Sequence, residues 1–480
     1  MMKKLFLLPL AAAFLVSCSH SSPKNEEQEV SPDSSATIMN DVESRHPEWV
    51  KNATIYEVNI RQYTPEGTID AFRQHLPKLK ELGVDILWLM PVQPIGVKER
   101  KGPLGSYYSI QDYTAVNPNF GTLKDFRALV EEAHDLGFKI VLDWVANHTS
   151  FDHVWTEEHP DFYTYNDDGK INVALDNTGF ATDWTDVADL NYNNKELWSA
   201  MAAEMKWWVD EADIDGFRCD VAGFVPIEFW SYLSEQRATW DKELFMLAEW
   251  GEPTDMQNFN MNYGWDFHHL LGELASKEKG PSDIEKLRMQ IDSNYTKDDI
   301  RMYFTTNHDE NSWNKPVFDR YGKQHFQLFV LCATMDRGMP LIYGGQEVGL
   351  DHSLKFFDKD EIDWTKTEDH LNGWLYSQFY KRMMDIYHTT PALYNGNYGG
   401  DFQPLIANDE NGIYAFKRVK DDSECVALFN FGDESIRLTQ NEVGLSGLYT
   451  TFDGQNAIKW NAANASDLVL VPGNFLLFYR

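Results

Sequence analysis

The sequence predicts an α/β protein. We expect a (β/α)8 TIM barrel with a short insertion after strand 3, followed by a C-terminal antiparallel β-sandwich domain. From about residue 50, one unit recurs: an amphipathic helix, a glycine and an apolar strand. After about residue 393, short apolar runs separated by Asn, Asp and Gly replace it. Alternating strands and helices favour a parallel sheet with right-handed crossovers, whereas closely spaced short strands are typical of a sandwich.

The first two copies of the recurring unit show the pattern clearly. The segment IDAFRQHLPKLKELG places Phe72, Leu76 and Leu79 on one helical face, ends at Gly83 and continues into the apolar run VDILWLMPV. The second copy begins at Thr122, a residue type that caps helices, and ends before FKIVLDWV. We therefore expect a helix and a strand in each copy.

The number of such units favours a closed barrel over the alternative, an open doubly wound sheet. No GxGxxG motif follows the first strand, which weakens a dinucleotide-binding interpretation. The candidate strands lie near residues 54–60, 84–90, 139–145, 214–220, 244–250, 261–267, 301–307 and 340–344.

The pattern predicts the domain boundaries. The barrel domain is expected at 46–392, and within it the segment 150–190, rich in Asp, Asn, Trp and Tyr, interrupts the repeat after the third strand. An insertion at the carboxyl end of a barrel strand lies over the active face, so this segment is expected to shape a substrate cleft. Residues 393–480 form the predicted sandwich domain.

Net charge and cysteine spacing exclude several classes of function. The 42 Lys and Arg residues against 75 Asp and Glu give a net charge of −33, which repels nucleic acids and anionic lipid headgroups. A neutral or cationic substrate is easier to accommodate. Cys219, Cys332 and Cys425 show no CxxC spacing, so we predict buried thiols rather than disulfides or a zinc site.

The N-terminus is predicted to be a targeting segment. Lys3 and Lys4 precede the apolar run LFLLPLAAAFLV, as in a secretory signal. The sequence LVSC at the end of residues 1–18 resembles the lipobox of bacterial lipoproteins, which implies cleavage before Cys18, lipid attachment to it and anchoring in a membrane, the outer one in a cell with two. The alternative is an ordinary cleaved signal. Residues 19–45 read as a flexible tether.

Charged side chains end four of the predicted strands, in the segments DWVANH, GFRCDVAGF, FMLAEW and TTNHDEN. One such pair alone could be a structural ion pair, but burying this many unpaired charges would cost several kcal/mol. Barrel active sites collect side chains from several strand ends, so a catalytic site is favoured. The candidate residues are His148, Arg218, Asp220, Glu249, His308 and Asp309.

Alternation along GFRCDVAGF assigns faces to its side chains. Residues two apart in a strand share a face, so Arg218 and Asp220 are expected to point inward. Phe217, Cys219 and Val221 are expected to point outward, against the helices.

The four segments resemble, in the same order, the four short conserved regions of the α-amylase family of glycoside hydrolases, family 13. The segment GSYYSIQDYTAVNPNFGT also resembles the part of that family that carries a substrate-stacking tyrosine. The resemblance implies a nucleophile, a general acid/base, a carboxylate that stabilises the transition state, an arginine beside the nucleophile, two histidines that hold the sugar and a tyrosine that stacks on it. In that order these are Asp220, Glu249, Asp309, Arg218, His148 with His308, and Tyr107.

The resemblance further implies a retaining hydrolase of α-1,4 bonds in starch, glycogen or maltooligosaccharides, with an α-glucan as its partner. We expect the carboxyl groups of Asp220 and Glu249 to lie roughly 5–5.5 Å apart. Arg218 should keep Asp220 ionised, while the pKa of Glu249 should be raised. The alternatives are an α-glucosidase, neopullulanase-like or glucanotransferase activity and, in a different class, a catalytically dead lipid-anchored glucan-binding protein.

The chemistry needs no cofactor, and a structural calcium ion stays open. Asn147 and Asp189 match calcium-ligand positions of the family. Gly223 and Phe224, however, replace the Lys-His pair whose histidine carbonyl completes that site. Any residue can supply a carbonyl oxygen, so the replacement does not exclude the ion.

Overall fold

A computed structural model gives the structure of the protein and describes residues 45–365, 371–454, 456–464 and 467–480. The predicted signal segment with Cys18, and all but the last residue of the predicted tether, lie outside the described residues.

Eight parallel strands close into a barrel, as predicted. Each strand pairs with its neighbour around the ring, and the first pairs with the last through Ile55 and Leu341. The open doubly wound alternative is thereby excluded. The barrel strands are β1 (Ile55–Val58), β2 (Ile86–Leu89), β3 (Lys139–Trp144), β6 (Gly216–Cys219), β7 (Phe245–Ala248), β8 (Met261–Tyr263), β9 (Ile300–Tyr303) and β10 (Gly338–Tyr343).

Helices follow the barrel strands and begin and end at the signals read from the sequence. Thr122 and Asp125 form a reciprocal capping box at the start of the second predicted helix. Gly83, at a φ of 90°, ends the first one in the left-handed conformation. The described α-helices are Ile60–Tyr63, Ile69–Arg73, Leu76–Leu82, Leu123–Asp135, Trp155–Glu158, Lys195–Ala212, Ile227–Arg237, Trp265–Ala275, Pro281–Asn294, Val317–Tyr321, His325–Thr334 and Leu371–Thr389.

One apolar layer fills the inside of the barrel, and a second lies between the strands and the helices. Alternate side chains such as Ile55, Val141 and Leu341 fill the lumen of the barrel, and the others pack outward against the helices. Because the lumen is closed by these side chains, the site must lie above them, at the carboxyl ends of the strands.

The predicted insertion folds back on the end of β3. Strand β4 (His148–Ser150) pairs antiparallel with β5 (Val187–Asp189), and His148 lies opposite Asp189. The residues between these strands form hairpins joined by isolated bridges. The insertion therefore places its second half over the barrel mouth.

The C-terminal region is the predicted antiparallel sandwich. A six-stranded sheet has the order β11-β12-β13-β18-β15-β16, and the small sheet β14-β17 covers one face of it. The other face packs against the barrel through side chains such as Phe416 and Phe429. The strands are β11 (Asp401–Asn408), β12 (Ile413–Lys420), β13 (Ser423–Asn430), β14 (Ile436–Leu438), β15 (Leu448–Phe452), β16 (Ala457–Asn461), β17 (Leu468–Leu470) and β18 (Phe475–Tyr479).

Two smaller points complete the fold. Cys219, Cys332 and Cys425 are buried free thiols, as predicted. Across the described ranges, every helix is too short or too polar to cross a membrane.

Candidate active site

A cavity of about 530 Å³ lies at the carboxyl ends of the barrel strands. Six predicted or neighbouring polar residues line it together with aromatic and charged residues of the insertion and of later loops. They are Tyr108, His148, Asp220, Glu249, His308 and Asp309, with Lys101, Ser106, Asp183, Trp184, Asp186, Val187, Val221, Trp313, Phe356 and Phe357.

Arg218 lies buried beneath the cavity, in contact with two of the carboxyls that line it. It is fully buried on β6, and its Nη1 donates hydrogen bonds to Asp143 Oδ1 and Asp220 Oδ1, both at 2.9 Å. Its Nη2 lies 2.7 Å from Glu249 Oε1. Burial alone would lower the pKa of this guanidinium, but the charges of Asp143 and Glu249 raise it, so Arg218 stays positive. One arginine thus joins three carboxyl groups from three neighbouring strands.

The carboxyl groups of Asp220 and Glu249 share this cation. Burial raises the pKa of Asp220 well above its usual range, and the nearby charge of Glu249 raises it further. Burial also raises the pKa of Glu249. Arg218 attracts both anions but does not outweigh burial. The pKa of Glu249 is raised, as expected, whereas that of Asp220 is raised too, contrary to the expectation that Arg218 keeps it ionised. Because two adjacent carboxylates resist simultaneous ionisation, the pair holds a proton more tightly than two separate carboxyls would.

Val221, the residue after Asp220, departs from the predicted alternation. It adopts the left-handed conformation, with a φ of 36°, and lines the cavity instead of facing the helices. Its N–H donates a 2.7 Å hydrogen bond to Glu249 Oε2. A β-branched residue adopts this backbone only at an energetic cost, so the turn after β6 is held by its surroundings. Phe217 and Cys219 do face outward, as expected.

His308 is held by two carboxylates. Its Nδ1 lies 2.5 Å from Glu57 Oε1, and its Nε2 lies 3.5 Å from Asp309 Oδ2. Burial alone would lower the pKa of His308, but the charges of Asp309 and Glu57 raise it to about 9. His308 is therefore a cation at neutral pH. His148 also lines the cavity, but burial lowers its pKa to about 3, so it is neutral.

The structure places Tyr108, and not the predicted stacking residue Tyr107, on the wall of the cavity. Tyr107 is buried away from the cavity, with the Arg61 guanidinium 3.8 Å from its ring centre. Tyr108 lines the cavity, stacks on His308, and its hydroxyl contacts Asp143 Oδ2 at 3.1 Å and His308 Nε2 at 2.8 Å. Adjacent tyrosines differ only in direction, and the sequence carries no signal for that.

Several site residues were missed by the sequence reasoning. Glu57, a charged residue inside the apolar run IYEV of β1, carries the same signal that identified Arg218 and was overlooked. Asp143 stands in a quoted motif but received no role. Trp184, Trp313 and Phe356 reach the cavity from distant loops, and aromatic residues in loops give no signal of their own.

The two predicted calcium-ligand positions, Asn147 and Asp189, make contacts within the protein. Asp189 Oδ1 accepts the N–H of Leu175, and its Oδ2 accepts the hydroxyl of Thr164. Burial raises the pKa of Asp189 to about 6. Among the described residues, no three His, Cys, Asp or Glu side chains are grouped to hold a metal. A calcium ion here would therefore need Asn147 and carbonyl oxygens as its further ligands.

Fold and site together define a class of protein: a (β/α)8 barrel with buried carboxyls grouped around one arginine at the carboxyl ends of its strands. The model of the alpha-amylase catalytic domain matches residues 33–172 and 172–375. The chain belongs to the alpha-amylase family, glycoside hydrolase family 13, as the four segments predicted.

Individual relatives agree with this family assignment. Alpha-amylase MalA of Haloarcula japonica is 27% identical over 81% of this chain, which covers 56% of that relative. Alpha-amylase 3 of Dictyoglomus thermophilum is 25% identical, and the match covers 88% of this chain and 90% of that relative. A crystal structure of an alpha-amylase from Lactobacillus plantarum is 28% identical, with a TM-score of 0.76 over 90% of this chain and 99% of that one. Other relatives are named neopullulanase, maltase and maltosyltransferase.

Proposed function

We propose that the protein is a retaining glycoside hydrolase of α-1,4-glucosidic bonds in starch, glycogen or maltooligosaccharides. One observation supports this most: Asp220, Glu249 and Asp309 line one cavity, and the buried Arg218 bridges the first two. Because two nitrogens of one guanidinium contact both carboxyls, the two carboxyls lie close together, which favours the short separation of a retaining site.

The proposed reaction is a double displacement at the anomeric carbon, whose first step forms a covalent bond between the sugar and Asp220. An Asp220 carboxylate oxygen attacks the anomeric carbon while the glycosidic C–O bond breaks, and Glu249 gives its proton to the leaving oxygen. Asp309 stabilises the positive charge that develops on the sugar. In the second step Glu249 takes a proton from water, the oxygen of that water attacks the same carbon, and Asp220 is released.

The proposed steps need one proton on the pair, carried by Glu249, with Asp220 ionised. Burial raises the pKa of both carboxyls, and the charge of Glu249 raises that of Asp220 further, so the two groups titrate as a coupled pair. The reactive form is the one that carries a single proton, on Glu249. Activity should therefore fall at low pH, where the second proton binds, and at high pH, where the shared proton is lost.

Groups around the pair are suited to hold the sugar. Tyr108 and the charged His308 line the cavity together with the rings of Trp184, Trp313 and Phe356. A flat aromatic face and directed donors suit a neutral polyhydroxylated ring. The negative net charge of the chain is no obstacle to such a substrate.

Time-resolved products from maltoheptaose, with the anomer read by NMR, test this function. We expect α-configured reducing ends to appear first. Products that begin as the β anomer would contradict a retaining mechanism. Products longer than maltoheptaose would instead indicate a glucanotransferase, and glucose as the sole early product an α-glucosidase. A protein that binds glucan without cleaving any would be the catalytically dead binding protein.

We also propose that the chain is exported and anchored through a lipid on Cys18, in the outer membrane of a cell with two membranes, on its periplasmic or its surface face. Support comes from the LVSC sequence and the tether that follows it. Metabolic labelling with palmitate should mark the wild type and leave Cys18→Ser unlabelled. Equal labelling of both would refute the proposal.

A further inference from the structure

We propose that the catalytic cavity is closed at the end that receives the non-reducing part of the glucan, so that the enzyme removes short units from chain ends. This inference rests on the proposed function. The feature that carries it is the bridging loop, residues 97–105, which follows β2 and contributes Lys101 to the cavity wall. The bridging loop joins the insertion to the loop after β10.

Lys101 connects the bridging loop to the insertion. Its Nζ lies 3.1 Å from Asp186 Oδ1 and donates to the carbonyl oxygen of Asp183 at the same distance. Because the Asp186 carboxylate is buried, water screens this ion pair less than it screens a surface pair. All three residues line the cavity, so the contact is part of the cavity wall.

Backbone contacts connect the bridging loop to the loop after β10. The N–H of Leu104 donates to the carbonyl oxygen of Phe357 at 3.0 Å. Gly102, at a φ of 64°, lies so near that a Cβ there would be 2.6 Å from the Cβ of Phe357. Only glycine allows both this backbone conformation and this approach. Phe357 lines the cavity, so this contact also belongs to the wall.

The buried Arg61 holds the two loops together. Its guanidinium donates to the carbonyl oxygens of Leu104, Gly105 and Phe356, at 3.4, 3.0 and 3.2 Å. The guanidinium lies 3.8 Å from the ring centre of Tyr107, which fixes its direction. Because one cation binds both loops, neither loop can move away without breaking charged hydrogen bonds.

The order of the strands places the bridging loop away from Glu249. Around the barrel, β1 and β2 lie opposite β7 and β8. The bridging loop follows β2, whereas Glu249 directly follows β7. In the proposed reaction Glu249 protonates the leaving oxygen, so the reducing-end part of the glucan departs on its side. The part bonded to Asp220 extends toward the opposite side, where the bridging loop limits its length.

The two sides of the barrel differ in the length of their loops. After β8, only Gly264 separates the strand from the helix Trp265–Ala275. After β2, residues 90–122 precede the next α-helix and include the bridging loop. A glucan that enters from the side of the short loop therefore meets a wall on the side of the long one.

The test compares nitrophenyl maltoheptaoside with the same substrate carrying an ethylidene group on its non-reducing end. An enzyme that cuts inside the chain tolerates this group, whereas a closed cavity has no room for it. For the wild type, kcat/KM should be lower on the blocked substrate by about tenfold or more, the cost of forcing an added group into a filled space. The first products from unblocked maltoheptaose should be dominated by one short oligosaccharide.

Lys101→Ala should open the closed end, because it removes the contact with Asp186 and leaves Arg61 in place. The ratio of kcat/KM on blocked to unblocked substrate should rise by about two- to fivefold, the range expected for one ion pair. Lys98→Ala removes the same charge from an exposed position of the bridging loop outside the cavity wall. As the matched control, it should leave the ratio unchanged.

Each outcome decides the proposal. A wild type that cleaves both substrates equally fast overturns it, and this measurement needs no variant to fold. A ratio in Lys101→Ala no higher than in Lys98→Ala also overturns it, because the bridging loop would then not be what excludes the blocked end. If the wild type cleaves neither substrate, the proposed function itself has failed. Weaker binding of the blocked substrate than of the unblocked one would then still support the closed end, and equal binding would refute it.

Discussion

Two fully buried arginines of the barrel, Arg218 on β6 and Arg301 on β9, have opposite surroundings. Arg218 points into the mouth of the lumen, where Asp143 is wholly buried and Asp220 and Glu249 are nearly so. Arg301 points outward between strand and helix, where it pairs with Asp266, whose side chain is 43% exposed. A buried arginine on a barrel strand is therefore no sign of catalysis by itself.

The two arginines differ in whether their partner carboxylates can be solvated by water if the cation is removed. Asp266 can be solvated, so the ion pair between Arg301 and Asp266 has a mainly structural role. Arg301 also donates to the carbonyl of Tyr263 and packs against the ring of Tyr295. The three carboxyls at Arg218 cannot all be solvated, so their protons and charges depend on one another. That dependence makes the Arg218 cluster chemically useful and costly to disturb. The predictions below test this contrast.

The largest effect is expected from Asp220→Asn. Loss of the nucleophile should lower kcat on maltoheptaose by at least about a thousandfold. The melting temperature should stay the same or rise, because one strained buried acid is removed from the cluster. Asp266→Asn, the matched change at the other arginine, should retain activity. An Asp220→Asn enzyme with a tenth of the normal kcat would remove Asp220 from the nucleophile role.

The next effect separates the two arginines. Arg218→Met should lower the free energy of unfolding by about 3–5 kcal/mol and abolish activity, because it strands buried carboxyls. Arg301→Met should cost about 1.5–3 kcal/mol, the loss of its charged hydrogen bonds, and leave kcat per folded molecule unchanged. Urea unfolding and active-site-normalised kinetics measure both. Equal losses of activity in the two variants would contradict the distinction between a functional and a structural arginine.

A smaller effect concerns the second cation of the site, His308. Its pKa is raised from 6.5 in the unfolded chain to about 9, so the folded state binds that proton more tightly. The stability it adds is fully present below about pH 6.5 and is lost as the pH rises through about 9. Melting temperatures from pH 6 to 10 should fall less steeply in His308→Gln than in the wild type.

The control for this experiment is His148→Gln. The pKa of His148 is about 3, so that side chain is neutral throughout the range and its replacement should leave the alkaline slope intact. If both variants kept the wild-type slope, the charge of His308 would not be what the alkaline range removes.

The smallest effect is expected from chelation. The comparison of the two arginines assumes that side chains supply all the positive charge at the site. A calcium ion at Asn147 and Asp189 would add further positive charge. Because protein donors fill both oxygens of Asp189, EDTA and added calcium should each leave the melting temperature unchanged. A clear drop with EDTA, restored by calcium but not magnesium, would show that a metal supports the insertion.

Local patterns in the sequence were sufficient to locate the barrel strands and to identify the charged residues at their ends. Apolar runs between helices located all eight barrel strands, and the polar groups at four of those ends do converge. The sequence did not distinguish Tyr107 from Tyr108. It also did not show that the strand ends at Cys219, which turns Val221 toward the cavity. Both depend on the direction of a side chain in a turn, and neighbouring loops set that direction.

The sequence by itself determined the family, the barrel and the residue types of the site, because periodicity and motif spacing are local properties of the chain. The tertiary structure decided which groups pair: Arg218 with three carboxyls, His308 with Glu57, and Asp189 with the Thr164 hydroxyl and the Leu175 N–H. Those pairings join residues up to 251 positions apart. Their pKa values follow from burial and distance, which exist only once the chain has folded.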